Sequence, residues 1–355
     1  MKFSNFLFPD CRDPARDGDV IDETLREAWL SDELGMDVIW LAEHHFDGIC
    51  AYVDPISFAG ALATSTRRSK IGFAVVQTAL HHPIRLAEQL AILDNITKGR
   101  LIVGLGRGSS YNIYDYQGFG IDHHEAQERL EETEKILVTA WTGEGFSHRG
   151  KFWDLDVPML RPRPYTKPHP AIIRAASGEA SMLELAHQGR PFLMNVQSME
   201  VTRRRVELYR GAMHEAGYAE EQIDRSLAEC WVWRNVFVAE TDVEAERVGV
   251  PVFRAMVEAR AALRNRIFRE TGMRIAVPES DLPSARATVE HGFIHGSPAR
   301  VAEAMADIDT LGVGGVIASF RLGPMPHETA INSLRLFMER VAPEIRRFTP
   351  APLRG

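Results

Sequence analysis

DVIWLAEHHF, residues 37–46, joins an apolar run of strand length to three groups that can hold or transfer a proton. Its apolar residues do not alternate with polar ones, which is typical of a strand covered on both faces in a parallel sheet packed with helices. Glu43, His44 and His45 follow at the carboxyl end, where such folds bind ligands. His44 is therefore a candidate acid or base, because an imidazole titrates near neutral pH. The alternative is that it only hydrogen-bonds a neighbouring loop.

The composition is that of an ordinary folded domain. The 355 residues are 45% hydrophobic and 25% charged, and the net charge of −8 offers no basic face, which argues against nucleic acid as a partner. The three cysteines lack CxxC spacing, so a reducing cytoplasm is the expected location. No run approaches the roughly 20 apolar residues that cross a bilayer, so we expect no membrane partner.

Strand and helix patterns alternate along nearly the whole chain. Eight strand candidates are followed by helical patterns, and they fall at residues 3–8, 38–42, 70–78, 100–105, 171–176, 192–196, 229–239 and 314–320. This order predicts an α/β fold with a closed (β/α)₈ barrel and one domain over residues 1–355. An open, doubly wound sheet is the alternative. Residues 143–157 predict a β-hairpin insertion, and the apolar-poor residues 270–290 predict a lid-like excursion before strand eight.

Two turns at strand ends are candidate phosphate sites. Gly104, Gly106 and Gly108 surround Arg107, whose forked donors suit a phosphate that approaches glycine backbone. This is not the dinucleotide fingerprint, because residue 109 is serine. A purely structural turn is the alternative.

The second turn lies where strand five gives way to a helix. Ser177, Gly178 and Ser181 occupy the helix N-terminus, where free N–H groups and the helix dipole favour an anion. Ser177 acting only as an N-cap is the alternative.

Metal and serine-hydrolase chemistry are poorly supported. Adjacent residues on a strand point to opposite faces, so the pairs His44-His45, His81-His82 and His123-His124 are not expected to chelate one ion. No HExxH or G-x-S-x-G motif is present. We therefore predict no metal site.

Taken together, the motifs are similar to those of the bacterial luciferase-like flavin-dependent monooxygenases. They are EHHF after strand two, a histidine pair with Pro83 after strand three, GLGRG after strand four and A-S-G-x-x-S after strand five. LDxxxxGR at residues 93–100 and HGSPARVAEAM at residues 295–305 extend the resemblance nearly end to end.

The resemblance implies a TIM barrel that binds FMN in its reduced form, supplied by a separate NAD(P)H:flavin reductase. With O2 it would oxygenate a small organic substrate. His44 falls at the family's catalytic histidine, and Arg107, Ser177, Gly178 and Ser181 fall at its phosphate-binding positions.

The resemblance also implies residues around the flavin ring. Phe6 would face the ring, and Ala74-Val75 would be a non-prolyl cis peptide beneath it. Gly106 stands where the light-emitting luciferase subunit has cysteine, so light emission is not expected. Helices over residues 55–63 and 83–96 would form a homodimer face. Three alternatives remain: a deazaflavin-dependent hydride-transfer enzyme of the same superfamily, a non-catalytic flavin-binding subunit, and a metal-dependent barrel hydrolase.

Overall fold

The first strand, β1 (Lys2–Leu7), joins the two ends of the sheet. It pairs in parallel with the second strand, β2 (Val38–Leu41), on one side and with the last strand, β12 (Gly315–Ser319), on the other. The structure is a computed structural model that describes residues 1–275 and 292–348. In it the sheet closes into an eight-stranded parallel barrel, so the closed barrel predicted from the sequence is confirmed and the open sheet is excluded.

The remaining ring strands are β3 (Lys70–Phe73), β5 (Leu101–Gly106), β8 (Ala171–Ala176), β9 (Phe192–Met194) and β10 (Trp231–Val238). The short strand β4 (Val76–Gln77) pairs with β5, and β11 (Phe293–Gly296) pairs with the carboxyl half of β10. The antiparallel hairpin predicted over residues 143–157 is present as β6 (Phe146–Arg149) and β7 (Asp154–Val157).

Helices follow the strands and surround the barrel. They are α1 (Asp17–Glu33), α2 (Pro55–Ser65), α3 (Pro83–Thr97), α4 (Ile113–Gly118), α5 (Ala126–Thr142), α6 (Glu179–His187), α7 (Met199–Glu215), α8 (Glu220–Leu227), α9 (Asp242–Thr271), α10 (Pro298–Asp309), α11 (His327–Leu336) and α12 (Ala342–Phe348). Within the described ranges, no helix combines the length and the apolar character needed to cross a membrane.

Alternate residues of each strand face the barrel interior or the helices. Phe6 of β1 belongs to a small interior cluster with Trp40 and Trp231, whereas Leu7 packs in the larger core between strands and helices. The two indoles meet edge to face with their centroids 5.3 Å apart. A Cβ at Gly72 would lie 2.4 Å from the Trp40 ring, so this strand position must lack a side chain for the interior to fill.

The predicted strand over residues 70–78 is divided in the structure. β3 ends at Phe73, the peptide bond Ala74–Val75 is cis, and β4 begins at Val76. The neighbouring strand approaches closely here, because a Cβ at Gly104 would lie 1.6 Å from the Phe73 carbonyl oxygen. The prediction of one continuous strand over residues 70–78 was therefore wrong. It rested on the apolar run alone, which carries no sign of the contact with the neighbouring strand.

Several elements were not predicted. They are the strand β11, which is only four residues long, and the helices α4, α8, α10 and α12. The predicted excursion over residues 270–290 begins in the last turn of α9, and its residues 276–290 lie outside the described part of the chain.

Candidate active site

A buried carboxylate organises the end of β2. Glu43 is 3% exposed, and its Oε1 accepts hydrogen bonds from His81 Nε2 at 2.8 Å and from His45 Nε2 at 3.2 Å. Its Oε2 accepts from the backbone N of Gln77 at 2.6 Å. One side chain therefore joins the ends of strands two and three.

This carboxylate is ionised at neutral pH. Burial opposes its charge, but the hydrogen bonds from His45 and His81 dominate and lower the pKa of Glu43 to about 2. For His45, burial favours the neutral ring, yet the contact with Glu43 outweighs it and raises the pKa above its ordinary value. The hydrogen bond to Glu43 thus favours the protonated form of the His45 ring.

Asp115 of α4 receives three further hydrogen bonds. Its Oδ2 accepts from Gln77 Nε2 at 2.7 Å and from Asn112 Nδ2 at 2.8 Å, and its Oδ1 accepts from the backbone N of His45 at 3.1 Å. Burial raises the pKa of Asp115, and the hydrogen bonds from Gln77 and Asn112 oppose that rise. Asp115 therefore fixes the segment that follows β2 against the segment that follows β5.

His44 lies at the open side of this network. Its side chain is 31% exposed, its Nδ1 is 3.7 Å from Asp47 Oδ2 and 3.4 Å from Asn112 Nδ2, and its ring meets Phe8 edge to face. Among the residues that the structure describes, both polar contacts of the ring are made by Nδ1. The Nε2 atom is then the nitrogen that a bound molecule can reach.

The two predicted phosphate turns leave adjacent strands. Leu105 of β5 pairs with Arg174 of β8, so Arg107 and Ser177 lie just beyond neighbouring strand ends. Both side chains are exposed on the same end of the barrel as His44. The structure therefore brings these two turns to one edge of the barrel, and their binding of a phosphate stays a prediction.

The N-terminus of α6 is compatible with an anion. Gly178 is the N-cap residue, and Ser181 Oγ donates to the Gly178 carbonyl oxygen at 2.9 Å. Glu179 in the first turn would repel a phosphate, but its carboxylate is 2.6 Å from the Arg204 guanidinium, which offsets its charge.

Gly106 and Val75 are in direct contact. A Cβ at Gly106 would lie 2.4 Å from Val75 Cγ2. A cysteine at this position would therefore need Val75 to move. Val75 and Ala74 also border the interior cluster that contains Phe6.

The glycine turn continues against polar groups. Gly108 has a φ of +82°, and a Cβ there would lie 2.5 Å from Gln77 Oε1 and 2.6 Å from the Tyr116 hydroxyl oxygen. The Tyr116 hydroxyl donates to the Arg107 carbonyl oxygen. These contacts fix the backbone on both sides of the Arg107 side chain.

Phe6 lies one layer below the mouth of the barrel. It is 2% exposed and packs on Trp233, whose ring centroid is 4.3 Å away, and on Phe8 at 6.0 Å. Phe8, at the end of β1, is the ring that reaches His44. The role of Phe6 at the flavin stays a prediction, and Phe8 and Trp233 are additional candidates.

Several site residues were not identified from the sequence. Asp47 and Asn112 lie a few residues beyond predicted strands two and four, so a search for polar residues beyond each strand would have found them. The others carry no such signal, because their contacts come from distant segments. These residues are Phe8, Gln77 and Asp115.

The LDxxxxGR motif at residues 93–100 stabilises the structure. Asp94 accepts hydrogen bonds from the backbone N and the hydroxyl of Thr166, and Arg100 donates to the Ser69 carbonyl oxygen at 2.6 Å. Both residues precede β5, so they brace loops at the end of the barrel opposite His44.

The histidine pairs behave differently from one another. His45 and His81 both bind Glu43. His123 and His124 lie on a short 3₁₀ turn and not on a strand, and their ligand atoms and that of Asp122 lie within 4.8 Å of one another. The argument that adjacent histidines on a strand point to opposite faces therefore does not apply to His123 and His124, and it was wrong for this pair.

The chain is similar to known proteins over most of its length. A family model described as luciferase-like monooxygenase matches residues 1–314. The chain is 28% identical over 249 residues to the oxygenase component of a flavin-dependent trigonelline monooxygenase from Acinetobacter baylyi, covering 69% of this chain and 67% of that protein.

Two solved structures share the fold. The monooxygenase RslO1 from Streptomyces bottropensis is 29% identical with a TM-score of 0.80, covering 97% of this chain and 99% of that one. An F420-dependent secondary alcohol dehydrogenase, 15% identical with a TM-score of 0.73 over 98% of this chain and 99% of that one, shows the fold alone. The chain belongs to the luciferase-like monooxygenase family.

Proposed function

We propose that the protein is an FMN-dependent monooxygenase that uses reduced flavin and O2 to oxygenate a small organic substrate. The observation that carries the proposal is the placement of His44 on the same barrel end as two adjacent anion-binding turns. Reduced FMN, when bound, supplies the electrons with which one atom of O2 is transferred to the substrate and the other leaves as water.

The residues at the mouth fit this cofactor. Arg107 and the N-terminus of α6 at Ser177, Gly178 and Ser181 would hold the phosphate through charge and backbone N–H groups. Gly106 would belong to the same site, because it places no side chain beside Arg107 and Val75 fills the space that a Cβ would take.

The flavin ring would lie over the interior cluster. Ala74 and Val75 border that cluster, and Phe6 forms its upper layer together with Trp233. These side chains are apolar, so they would exclude water from the reacting atoms. They also favour a substrate whose reacting part is uncharged.

His44 would act as acid or base towards the substrate. Asp47 and Asn112 flank its Nδ1, which leaves Nε2 to hold or give up a proton. The hydrogen bond between Glu43 and His45 anchors the backbone beside it.

A separate NAD(P)H-linked reductase would supply the reduced flavin, as the name "oxygenase component" of the trigonelline relative supports. The protein would act as a homodimer in the cytoplasm. The outer face of α3 supports the dimer, because Ile92 and Ile96 are 45% and 42% exposed there, one helical turn apart.

The test is incorporation of labelled oxygen. Photoreduced FMN, ¹⁸O2 and the purified protein are mixed with a panel of ketones, aldehydes and cyclic alkenes, and products are analysed by mass spectrometry. We expect one ¹⁸O atom in a product with reduced FMN and none with a reduced deazaflavin cofactor. Anaerobic turnover with the deazaflavin would contradict the proposal, and FMN binding without turnover of any substrate would favour the non-catalytic alternative.

A further inference from the structure

Helix α9 connects distant parts of the barrel mouth. It begins after β10 and passes the loop after β12, where a Cβ at Gly323 would lie 2.8 Å from Met256 Cβ. Its last turns reach the loop after β2, where Arg266 Nη2 donates to the Asp47 carbonyl oxygen at 3.1 Å. The helix therefore bridges three positions around the ring of strands.

The same turns of α9 also bind the segment after β5. Arg266 Nε donates to the Tyr114 hydroxyl at 3.2 Å, and its guanidinium carbon lies 4.9 Å from the centre of that ring. Arg264 Nη1 donates to the Tyr111 hydroxyl at 2.6 Å. Both tyrosines belong to the short segment that carries Asn112, one of the two polar partners of His44.

Each residue held by α9 is, or adjoins, a residue of the His44 network. The Asp47 carboxylate, 8% exposed, faces His44 Nδ1 at 3.7 Å. Tyr111 precedes Asn112, which contacts the same nitrogen, and Tyr114 precedes Asp115. A shift of α9 would therefore be transmitted to both sides of the imidazole.

The loop after β2 needs such support. Phe46 has a φ of +61°, a left-handed conformation that is strained for a non-glycine residue. Its ring packs on the end of α4, where a Cβ at Gly118 would lie 2.2 Å from Phe46 Cε2. Phe46 is nevertheless 60% exposed, so this contact covers little of the ring. The hydrogen bond from Arg266 restrains the next residue along the chain.

We propose that Arg266 is a positioning residue for His44. It holds the Asp47 carbonyl and the Tyr114 hydroxyl at once, and so keeps Asp47 on one side of the imidazole and the Asn112 segment on the other. The catalytic part of this inference rests on the proposed function, in which His44 acts on the substrate. The structural part stands on the contacts alone.

The first test needs no cofactor. Protein labelled with ¹³C-histidine is compared by NMR for wild type, Arg266→Ala, Arg266→Lys and the control Arg269→Ala, an exposed arginine on the same helix. The His44 ring signal is assigned with His44→Asn. We expect this signal to shift and broaden in Arg266→Ala, to recover most of its position in Arg266→Lys, and to stay unchanged in Arg269→Ala.

The second test separates positioning from binding. In Arg266→Ala we expect kcat to fall by about tenfold, while the Kd for FMN and the substrate KM change by less than about twofold. Tyr114→Phe, which removes one of the two acceptors, provides a milder variant if Arg266→Ala fails to fold, and its His44 signal should move in the same direction. An unchanged His44 signal in both variants would overturn the inference. A shifted signal in a protein without oxygenase activity would retain the positioning role and refute the proposed function instead.

Discussion

Replacing Glu43 by glutamine should destabilise the protein strongly, because the charge at this position is held by several donors. The pKa of Glu43 falls from 4.5 to about 2 in the folded protein. At 1.36 kcal/mol for each pKa unit, this difference corresponds to about 3 kcal/mol of stability at pH 6. The same pair raises the pKa of His45, so the two shifts describe one interaction and are counted once.

The pH dependence has a definite sign. A depressed carboxyl pKa contributes stability above the unfolded-state value of 4.5, and this contribution is lost as the pH falls towards the folded-state value of about 2. At pH 3 it should be only about 1 kcal/mol. The raised pKa of His45 acts in the other direction. The stability that it contributes is present below the unfolded-state pKa of 6.5 and is lost as the pH rises through the folded-state pKa. The difference between wild type and Glu43→Gln should therefore be largest near pH 5 to 6.

The assay is urea unfolding followed by fluorescence at pH 3, 6 and 9. Glu144→Gln, at an exposed position, is the control and should change stability by less than about 0.5 kcal/mol at every pH. A Glu43→Gln protein that is as stable as wild type at pH 6, or whose deficit does not shrink at pH 3, would refute the assignment of Glu43 as a charged anchor.

Three further predictions concern packing, assembly and catalysis. Gly106→Ala should lose about 1–3 kcal/mol of stability in urea unfolding, with most of it restored by adding Val75→Ala; no recovery would show that the two do not collide. Ile92→Asp on the exposed face of α3 should give monomers in analytical ultracentrifugation, whereas Val243→Asp, 78% exposed on α9, should not; dimers in both would place the interface elsewhere. His44→Asn should lower the oxygenation rate by roughly 10²–10⁴-fold with an FMN Kd near that of wild type, and a parent rate would remove His44 from the mechanism.

The barrel was predictable because its signals are local. The apolar run that ends at Glu43 and the repeated order of strand and helix depend only on neighbouring residues, and the parallel fold then follows. The division of strand three was not predictable in this way, because it depends on how closely Gly104 approaches the Phe73 carbonyl, which is a contact between strands.

The candidate site was predictable only in part. His44, Arg107 and Ser177 follow predicted strands directly, so the rule that ligands bind at strand carboxyl ends selects them. Asp115 and Gln77 were missed because their importance comes from hydrogen bonds made by the fold. Arg266 reaches the site from a helix that begins after strand seven, more than 200 positions along the chain from its acceptor Asp47.

The most direct test of the account is whether two separate turns bind one phosphate. FMN and riboflavin, each reduced and kept anaerobic, are titrated calorimetrically into wild type and Arg107→Ala. The account predicts that wild type binds FMN at least about tenfold more tightly than riboflavin and that Arg107→Ala removes this preference without changing riboflavin affinity. Equal affinities of wild type for the two flavins, or no binding of FMN at all, would contradict it.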